Sequence, residues 1–535
     1  MRVKMLLGAE AAAQGAIDAG IAGAFSYPGT PATEVFEYIE HCPGAQETIS
    51  ALWSANEKVA YEEALGMSYA GRRAVVSMKH VGLNVAADAF INSALTGVNG
   101  GLVLIVADDP GMHSSQNEQD SRFYGDFAQV PIFEPATQQE AYDFMLEAFD
   151  YSEKVKLPVM VRLVTRLAHS RANVTLRPLA ETTFEVRPLP SASDWTLVPV
   201  IARQRFKGLV EAQRTLVEDA ETAAANSLTL AGPRGILCAG IAHNYVREVL
   251  GDGGEFSILR LGRYPVPVQL VRELVEHCDE ILVAEEGYPF IERRLNGLLG
   301  VPGKKIRGKL SGDLPATGEL TPDTLAVALG RPPVGGPRAL EDLAGRPPQL
   351  CKGCPHSDSF RAIVESASGY ASPVMFGDIG CYTLGVMPPY RAVHACVDMG
   401  ASISMAHGAA QAGIRPVICT IGDSTFSHSG MTGLIGAVHN DANMTVFILD
   451  NATTAMTGTQ DSFATGESLL DILRGLGVDE DHLHVIEPLS RLHADNVALI
   501  RKELEHPGLS VIVSNRACIH LRRKQKQDER ELVTA

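Results

Sequence analysis

Short apolar runs alternate with helix-length segments along most of this chain. In its first part "GAFSYPGTP", "RRAVVSMKH", "GGLVLIVADDP" and "LPVMVRLV" are each closed by turn residues and separated by stretches such as "NEKVAYEEALGMSYAG", whose apolar spacing is helical. Near-continuous apolar strands are buried on both faces, so the pattern predicts a doubly wound α/β unit, a parallel sheet wrapped by helices, over residues 1–190. A charged helical connection over 191–230 leads to a smaller α/β unit over 231–330, with "GILCAG", "EFSILRLG" and "EILVAEEG" as its strands. Residues 331–350, "RPPVGGPRALEDLAGRPPQL", are rich in Pro and Gly and predict an extended linker. A third α/β unit over 351–520 has the strands "PVMFGDIG", "PVICTIGD", "MTVFILDN" and "LSVIVSN", and 521–535 is a charged tail.

Composition narrows the class. At 535 residues, 45% hydrophobic and 20% charged, the chain has the make-up of a folded multidomain protein. A net charge of −17 opposes general affinity for nucleic acid or anionic membranes. No apolar run reaches the roughly 18 residues of a membrane span. "MRVKMLLGAEAAAQGAIDAG" begins like a secretion signal, but Glu10 interrupts it and the stretch predicts an amphipathic helix, so a cytoplasmic protein is expected. Nine cysteines are too sparse for a disulfide framework, and any group of them points to metal or catalysis.

The third unit carries the most specific chemistry. Asp423 closes the strand "PVICTIGD" beside the start of a helix, "STFSHSGMTGLIGAVHN", and Asn451 closes the next strand. Both lie at the carboxyl edge of an open sheet, where ligands bind and where free helix N–H groups suit a phosphate. A carboxylate and an amide oxygen meeting there form a hard oxygen site suited to Mg²⁺. Taken alone, Asp423 is as easily a helix cap and Asn451 the start of a turn. "CKGCPH" sets Cys351 and Cys354 in a C-x-x-C turn, with Cys381 in "GDIGCYTLG" and Cys518 after the last strand. Such thiols bind zinc, form a redox pair, hold an iron–sulfur cluster or are simply buried; Cys396 and Cys419 read as core.

The stretch from Asp423 to Asn451 resembles the thiamin-diphosphate motif. "SYPGTPATEVFEYI", "SANEKVAYEEALG", "MKHVGLNVAADAFI", "LVLIVADDPGMHSSQNEQDSR", "CKGCPH", "GDIGCYTLG", "MGASISMAHG" and "LDNATTAMTGTQ" extend the likeness. Together they resemble the 2-oxoacid:ferredoxin oxidoreductases, and within them the large subunits acting on indolepyruvate. The resemblance implies two thiamin-diphosphate-binding domains, pyrimidine and diphosphate type, with a transketolase-C-terminal-like domain between them. It implies Mg²⁺ held by Asp423, Asn451 and the main-chain carbonyl of Thr453, with Gly380, Cys381, Tyr382, Gly422, Ser424, Thr425 and Met456 against the cofactor. Ser424 stands where the motif usually has a second glycine, and a small residue there still permits close backbone approach.

The same resemblance places the glutamate that activates the aminopyrimidine at Glu57, which alone reads as one more solvated helix charge beside Glu62 and Glu63. Thr30 matches a threonine facing the substrate. Lys79 and His80, at a strand end, are candidates to pair with the 2-oxoacid carboxylate. In the polar loop "MHSSQNEQDSR", His113, Gln116 and Asn117 are expected to point inward. The cysteine order implies one 4Fe–4S cluster on Cys351, Cys354, Cys381 and Cys518. The implied reaction is oxidative decarboxylation of an aryl 2-oxoacid with coenzyme A to an acyl-CoA, CO₂ and two electrons. The expected assembly is a hetero-oligomer built on a homodimer, with a smaller β subunit. With no cysteine after Cys518, the electrons are expected to pass to a further polypeptide, ferredoxin or an equivalent. The alternatives are a non-oxidative thiamin-dependent decarboxylase or carboligase without a cluster, and a catalytically silent regulatory subunit.

Overall fold

Every residue of the strands Ala74–Lys79, Leu102–Asp108 and Val159–Val164 is buried, because each lies inside a sheet covered on both faces. These strands belong to the first of two compact units, Met1–Arg338 and Ala339–Ala535, in a computed structural model that describes residues 2–44, 47–177, 195–251, 254–336 and 348–534, with side chains to 527.

In the first unit a seven-stranded sheet runs in the order Arg263–Tyr264, Ile132–Phe133, Val159–Val164, Leu102–Asp108, Ala74–Lys79, Gly23–Ser26, Ser50–Trp53. All neighbours are parallel except Arg263–Tyr264, which runs antiparallel to Ile132–Phe133. The helix Glu57–Tyr69 starts where the Asn56 side chain accepts the Val59 N–H at 2.9 Å, and His80–Thr96 starts directly from the end of a strand. The same unit holds a five-stranded sheet in the order Lys305–Arg307, Glu280–Ala284, Arg234–Ala239, Phe256–Leu261, Ser227–Thr229.

Three features depart from the sequence pattern. The chain opens with a strand, since Arg2–Leu7 pairs antiparallel with Arg171–Leu176, a partner that local periodicity does not reveal. The helix after it, Gly8–Asp18, is buried nearly all round rather than amphipathic: its alanines and Gly15 pack so tightly on Gln138–Val155 that a Cβ at Gly15 would sit 2.5 Å from the Tyr142 carbonyl oxygen. Glu10 faces its own backbone and accepts the Leu7 N–H at 2.8 Å. The charged connection holds the helix Pro199–Glu221 and then the strand Ser227–Thr229, which joins the smaller sheet, while the two-residue strand Arg263–Tyr264 crosses back to the larger one. Strands of two or three residues carry no readable period. Within the Pro/Gly linker residues 331–336 are irregular and exposed, and 337–347 lie outside the described residues, as do 178–194.

The second unit has a fully parallel five-stranded sheet in the order Val374–Gly377, Val417–Gly422, Met444–Asp450, Leu509–Asn515, Leu483–Ile486. Its apolar strands lie between the helices Ala401–Gln411 and Met431–His439 on one side and Pro355–Ala367 and His493–Glu505 on the other. The backbone between Gly422 and Met431 includes a π-helical turn, Phe426–Gly430, of the kind that recurs at functional sites. The charged tail belongs to a helix, Ile519–Thr534.

Candidate active site

Asp378, Asp423, Asp450 and Asn451 stand at the carboxyl edge of the second unit's sheet. Asp423 follows Gly422, whose missing Cβ matters because one there would lie 2.7 Å from the Tyr382 ring. A Cβ on Gly380 would meet the same ring at 2.4 Å. Tyr382 is therefore clasped by two glycines, and its hydroxyl lies 3.0 Å from both the Ile379 carbonyl oxygen and Thr425 Oγ1. The turns after two strands are thus fixed to one another. Ser424 is also buried, and its Oγ accepts from Thr454 Oγ1 at 2.9 Å. Met456, by contrast, is 64% exposed.

The Asp423 carboxyl is buried, and its Oδ2 has no hydrogen-bond partner. Burial, with Asp450 adding repulsion, pushes it up to about 7. An orphaned carboxylate oxygen in such a place is costly unless a cation or donor meets it. Asn451 lies at the end of the adjacent strand; its Oδ1 accepts the Thr453 N–H at 3.1 Å and its Nδ2 contacts His356 Nε2 at 3.2 Å. Asp423 and Asn451 thus bring a carboxylate and an amide oxygen to the ends of neighbouring strands, hard donors of the kind that suit Mg²⁺.

Two further acids brace this edge. Asp378 accepts the Gly400 N–H at 2.6 Å and also bonds the Ser402 hydroxyl, tying one strand end to the start of helix Ala401–Gln411. Asp450 accepts from Thr465 Oγ1 at 2.6 Å, the Gly466 N–H at 2.7 Å and Asn515 Nδ2 at 2.8 Å. The sequence reading passed over both, although an acid directly after an apolar run, as in "FGDIG" and "LDN", is a usable signal of a strand-end clamp.

Cysteines 351, 354, 381 and 518 lie near enough for their thiols to act on one another. Burial pushes Cys354 up to about 11, with Cys351 and Cys518 adding to the shift, and Cys381 to about 12, with Cys354, Cys518 and Cys351 adding to it. The Cys354 N–H donates to the Cys351 carbonyl at 3.0 Å, closing the C-x-x-C turn, and the Cys518 N–H donates to the Asn451 carbonyl at 3.0 Å. Among the described residues no three His, Cys, Asp or Glu side chains stand in ready-made metal geometry. The four thiols share one region of the second unit without touching, and as thiolates they are donors of the kind an iron–sulfur cluster takes. Cys419 is core, whereas Cys396 is only half-buried and meets Thr383 Oγ1 at 4.0 Å.

In the first unit Glu57 is buried at the start of its helix, against Gly82. Lys79 and His80 mark the adjoining strand end and are also buried. Lys79 Nζ is already engaged, donating to the Ser114 carbonyl at 2.9 Å. Burial lowers its pKa, while Asp109 and Glu57 act in the opposite sense. His80 Nε2 meets Asn117 Oδ1 at 3.0 Å, and its buried Nδ1 has no partner. Asp109, another acid overlooked at a strand end, binds the Ser114 N–H at 2.8 Å, Ser115 Oγ at 2.6 Å and Thr165 Oγ1 at 2.7 Å. Ser114 Oγ reaches the Thr30 carbonyl at 3.3 Å. The polar loop is thereby stitched over Thr30, Lys79 and His80. Of its three residues expected to face inward, Asn117 does so, but Gln116 is exposed and His113 turns to Glu319 at 3.1 Å with 54% of its side chain exposed. An acid from the smaller α/β part captures that imidazole, which local sequence could not foretell.

Both units match profiles of thiamin-diphosphate enzymes, the first that of the 2-oxoacid oxidoreductase class. The family profile "Pyruvate flavodoxin/ferredoxin oxidoreductase, thiamine diP-bdg" matches residues 14–207, and "Thiamine pyrophosphate enzyme, C-terminal TPP binding domain" matches 378–481. The chain is 37% identical over 564 residues to the indolepyruvate oxidoreductase subunit IorA of Archaeoglobus fulgidus, covering 99% of this chain and 88% of that one. It is 36% identical over 543 residues to its counterpart in Methanothermobacter thermautotrophicus, covering 96% and 86%. The chain belongs to the indolepyruvate oxidoreductase subunit IorA family. The 2-oxoglutarate:ferredoxin oxidoreductase from Magnetococcus marinus, solved with 2-oxoglutarate, coenzyme A and succinyl-CoA, shares the fold: TM-score 0.51, 15% identity, 61% of this chain and 65% of that one.

Proposed function

We propose that this chain is the catalytic subunit of an enzyme that converts an aryl 2-oxoacid, of the indolepyruvate or phenylpyruvate kind, and coenzyme A into arylacetyl-CoA, CO₂ and two electrons. The carrying observation is the position of Asn451, whose side chain ends the strand next to that of Asp423 while its main-chain carbonyl accepts the Cys518 N–H at 3.0 Å. That contact supports a cofactor site and a thiolate group built as one piece. The indolepyruvate oxidoreductases among its relatives support the substrate class.

Asp423, Asn451 and the Thr453 carbonyl would hold Mg²⁺ and, through it, the diphosphate, with Ser424 and Thr425 beside them. Thiamin diphosphate supplies the electron sink for decarboxylation. Glu57 would hold a proton at its carboxylate for the aminopyrimidine, in a buried place where that bond is strong. With Lys79 engaged by the loop, His80 and its open Nδ1 are better placed than the lysine to meet a substrate carboxylate. Cys351, Cys354, Cys381 and Cys518 would hold one 4Fe–4S cluster, which would supply one-electron chemistry toward an acceptor protein, ferredoxin or an equivalent. A smaller β subunit joins the chain in a cytoplasmic hetero-oligomer built on a homodimer.

The test is Cys354→Ser in protein purified anaerobically with its partner. The variant is expected to lose iron and the reduction of one-electron dyes, yet to bind thiamin diphosphate and Mg²⁺ as the wild type does. Wild-type protein without iron, together with a variant that reduces dye normally in the presence of coenzyme A, would overturn the oxidative reading.

A further inference from the structure

The C-x-x-C turn and the last cysteine meet at the protein surface through a contact that the reaction above does not use. His520 Nε2 lies 3.3 Å from Cys351 Sγ. Both residues are exposed, whereas Cys354 and Cys518 are buried. His520 follows Cys518 by two residues, in the first turn of the helix Ile519–Thr534. That start is anchored twice, by the Cys518 N–H on the Asn451 carbonyl at 3.0 Å and by the Arg522 N–H on the Cys518 carbonyl at 3.1 Å. The imidazole is therefore carried to Cys351 by the same backbone that touches the cofactor motif.

We infer that His520 is a positioning residue for the iron–sulfur cluster: its Nε2–H donates to the Cys351 sulfur and raises the cluster's reduction potential. This rests on the cluster reading of the four cysteines. A thiolate bound to iron carries no proton and can only accept, so the imidazole must be the donor in this pair. Reduction adds negative charge to the cluster and its sulfurs, and a donor aimed at one of them stabilises the reduced state more than the oxidised one. Cys354 already receives main-chain N–H groups from His356 and Ser357. At the exposed corner a side chain takes that part, and there water would otherwise compete for the sulfur. The contact makes the cluster a readier acceptor for electrons coming from the cofactor side.

The measurement is an EPR-monitored redox titration of the full chain, purified anaerobically with its partner, alongside iron analysis and thiamin diphosphate binding. His520→Ala is expected to keep iron and cofactor binding and to lower the midpoint potential by a tenfold change in the one-electron reduction equilibrium, which is 59 mV. His520→Gln, whose amide still offers an N–H, is expected to recover at least half of that shift. A potential that moves by less than threefold in His520→Ala, or a glutamine variant that falls as far as the alanine one, overturns the role of His520 while leaving the cluster in place. Loss of iron in His520→Ala also overturns it, making the residue a structural or ligating one. Wild-type protein without iron removes the cluster reading itself.

Discussion

The Glu57 carboxyl occupies the space that a side chain on residue 82 would need, since a Cβ at Gly82 would lie 2.5 Å from Glu57 Oε1. The glycine of "KHVGLN" is thus part of the glutamate's seat, and the two residues predict different failures. Glu57→Gln keeps volume but cannot carry the proton: turnover is expected to fall by more than tenfold, or about 1.4 kcal/mol of barrier, with thiamin diphosphate binding intact. Gly82→Ala keeps the carboxylate but displaces it, and a similar loss of turnover is expected with the fold preserved by circular dichroism. A Gly82→Ala enzyme of wild-type rate would show that the position of Glu57 is not critical. Neither role is legible from Gly82 alone, because its neighbour comes from a different helix.

At the scale of elements, the edge of the second sheet is closed by a carboxylate rather than by apolar packing. Glu503, on helix His493–Glu505, is buried and accepts from His482 Nδ1 at 2.8 Å, His484 Nε2 at 2.9 Å and Ser510 Oγ at 2.8 Å, so it ties the helix to the strands Leu483–Ile486 and Leu509–Asn515. Burial alone would raise its pKa, but the bonds from His482, Ser510 and His484 outweigh burial and hold it down at about 2. A carboxylate depressed in the folded state stabilises fully above its usual value of 4.5 and loses that contribution as pH falls towards about 2. Chemical denaturation from pH 6 down to pH 3 is therefore expected to show an acid decline that Glu503→Gln flattens. An unchanged acid decline in the variant would count against this bond set. The strands and the helix were each readable from their apolar spacing, whereas this pairing needed three elements brought together.

For the whole molecule, the first unit's seven- and five-stranded sheets are joined around a core of buried charge. Arg122 and Arg162 are fully buried; Arg122 bonds Asp120 Oδ2 at 2.5 Å and Glu285 Oε2 at 2.9 Å, and Arg162 bonds Asp108 Oδ2 at 2.6 Å and Glu134 Oε1 at 2.5 Å. Tyr264, from the returning two-residue strand, donates to Glu134 Oε2 at 2.6 Å. Asp108 lies next to Asp109, so the network also fixes the root of the loop over Lys79 and His80. Removing one partner from such a set strands the others, and Arg162→Met is expected to cost about 3–5 kcal/mol of stability, read from the denaturation midpoint. A cost below about 1 kcal/mol would mean that the carboxylates are protonated or hydrated instead. The sequence by itself determined what depends on local period and on short motifs: parallel α/β units, strand-end Asp423 and Asn451, and the order of the four cysteines. Those signals survive in one dimension because burial on both faces and turn chemistry act within a few residues. Only the tertiary structure decided which side chains meet: the seat of Glu57 at Gly82, the engagement of Lys79 by the loop, the capture of His113 by Glu319, and the contact of His520 with Cys351. Each of these pairs joins separate elements, and long-range contacts of this kind are set by how the sheets and helices pack, which no local spacing encodes.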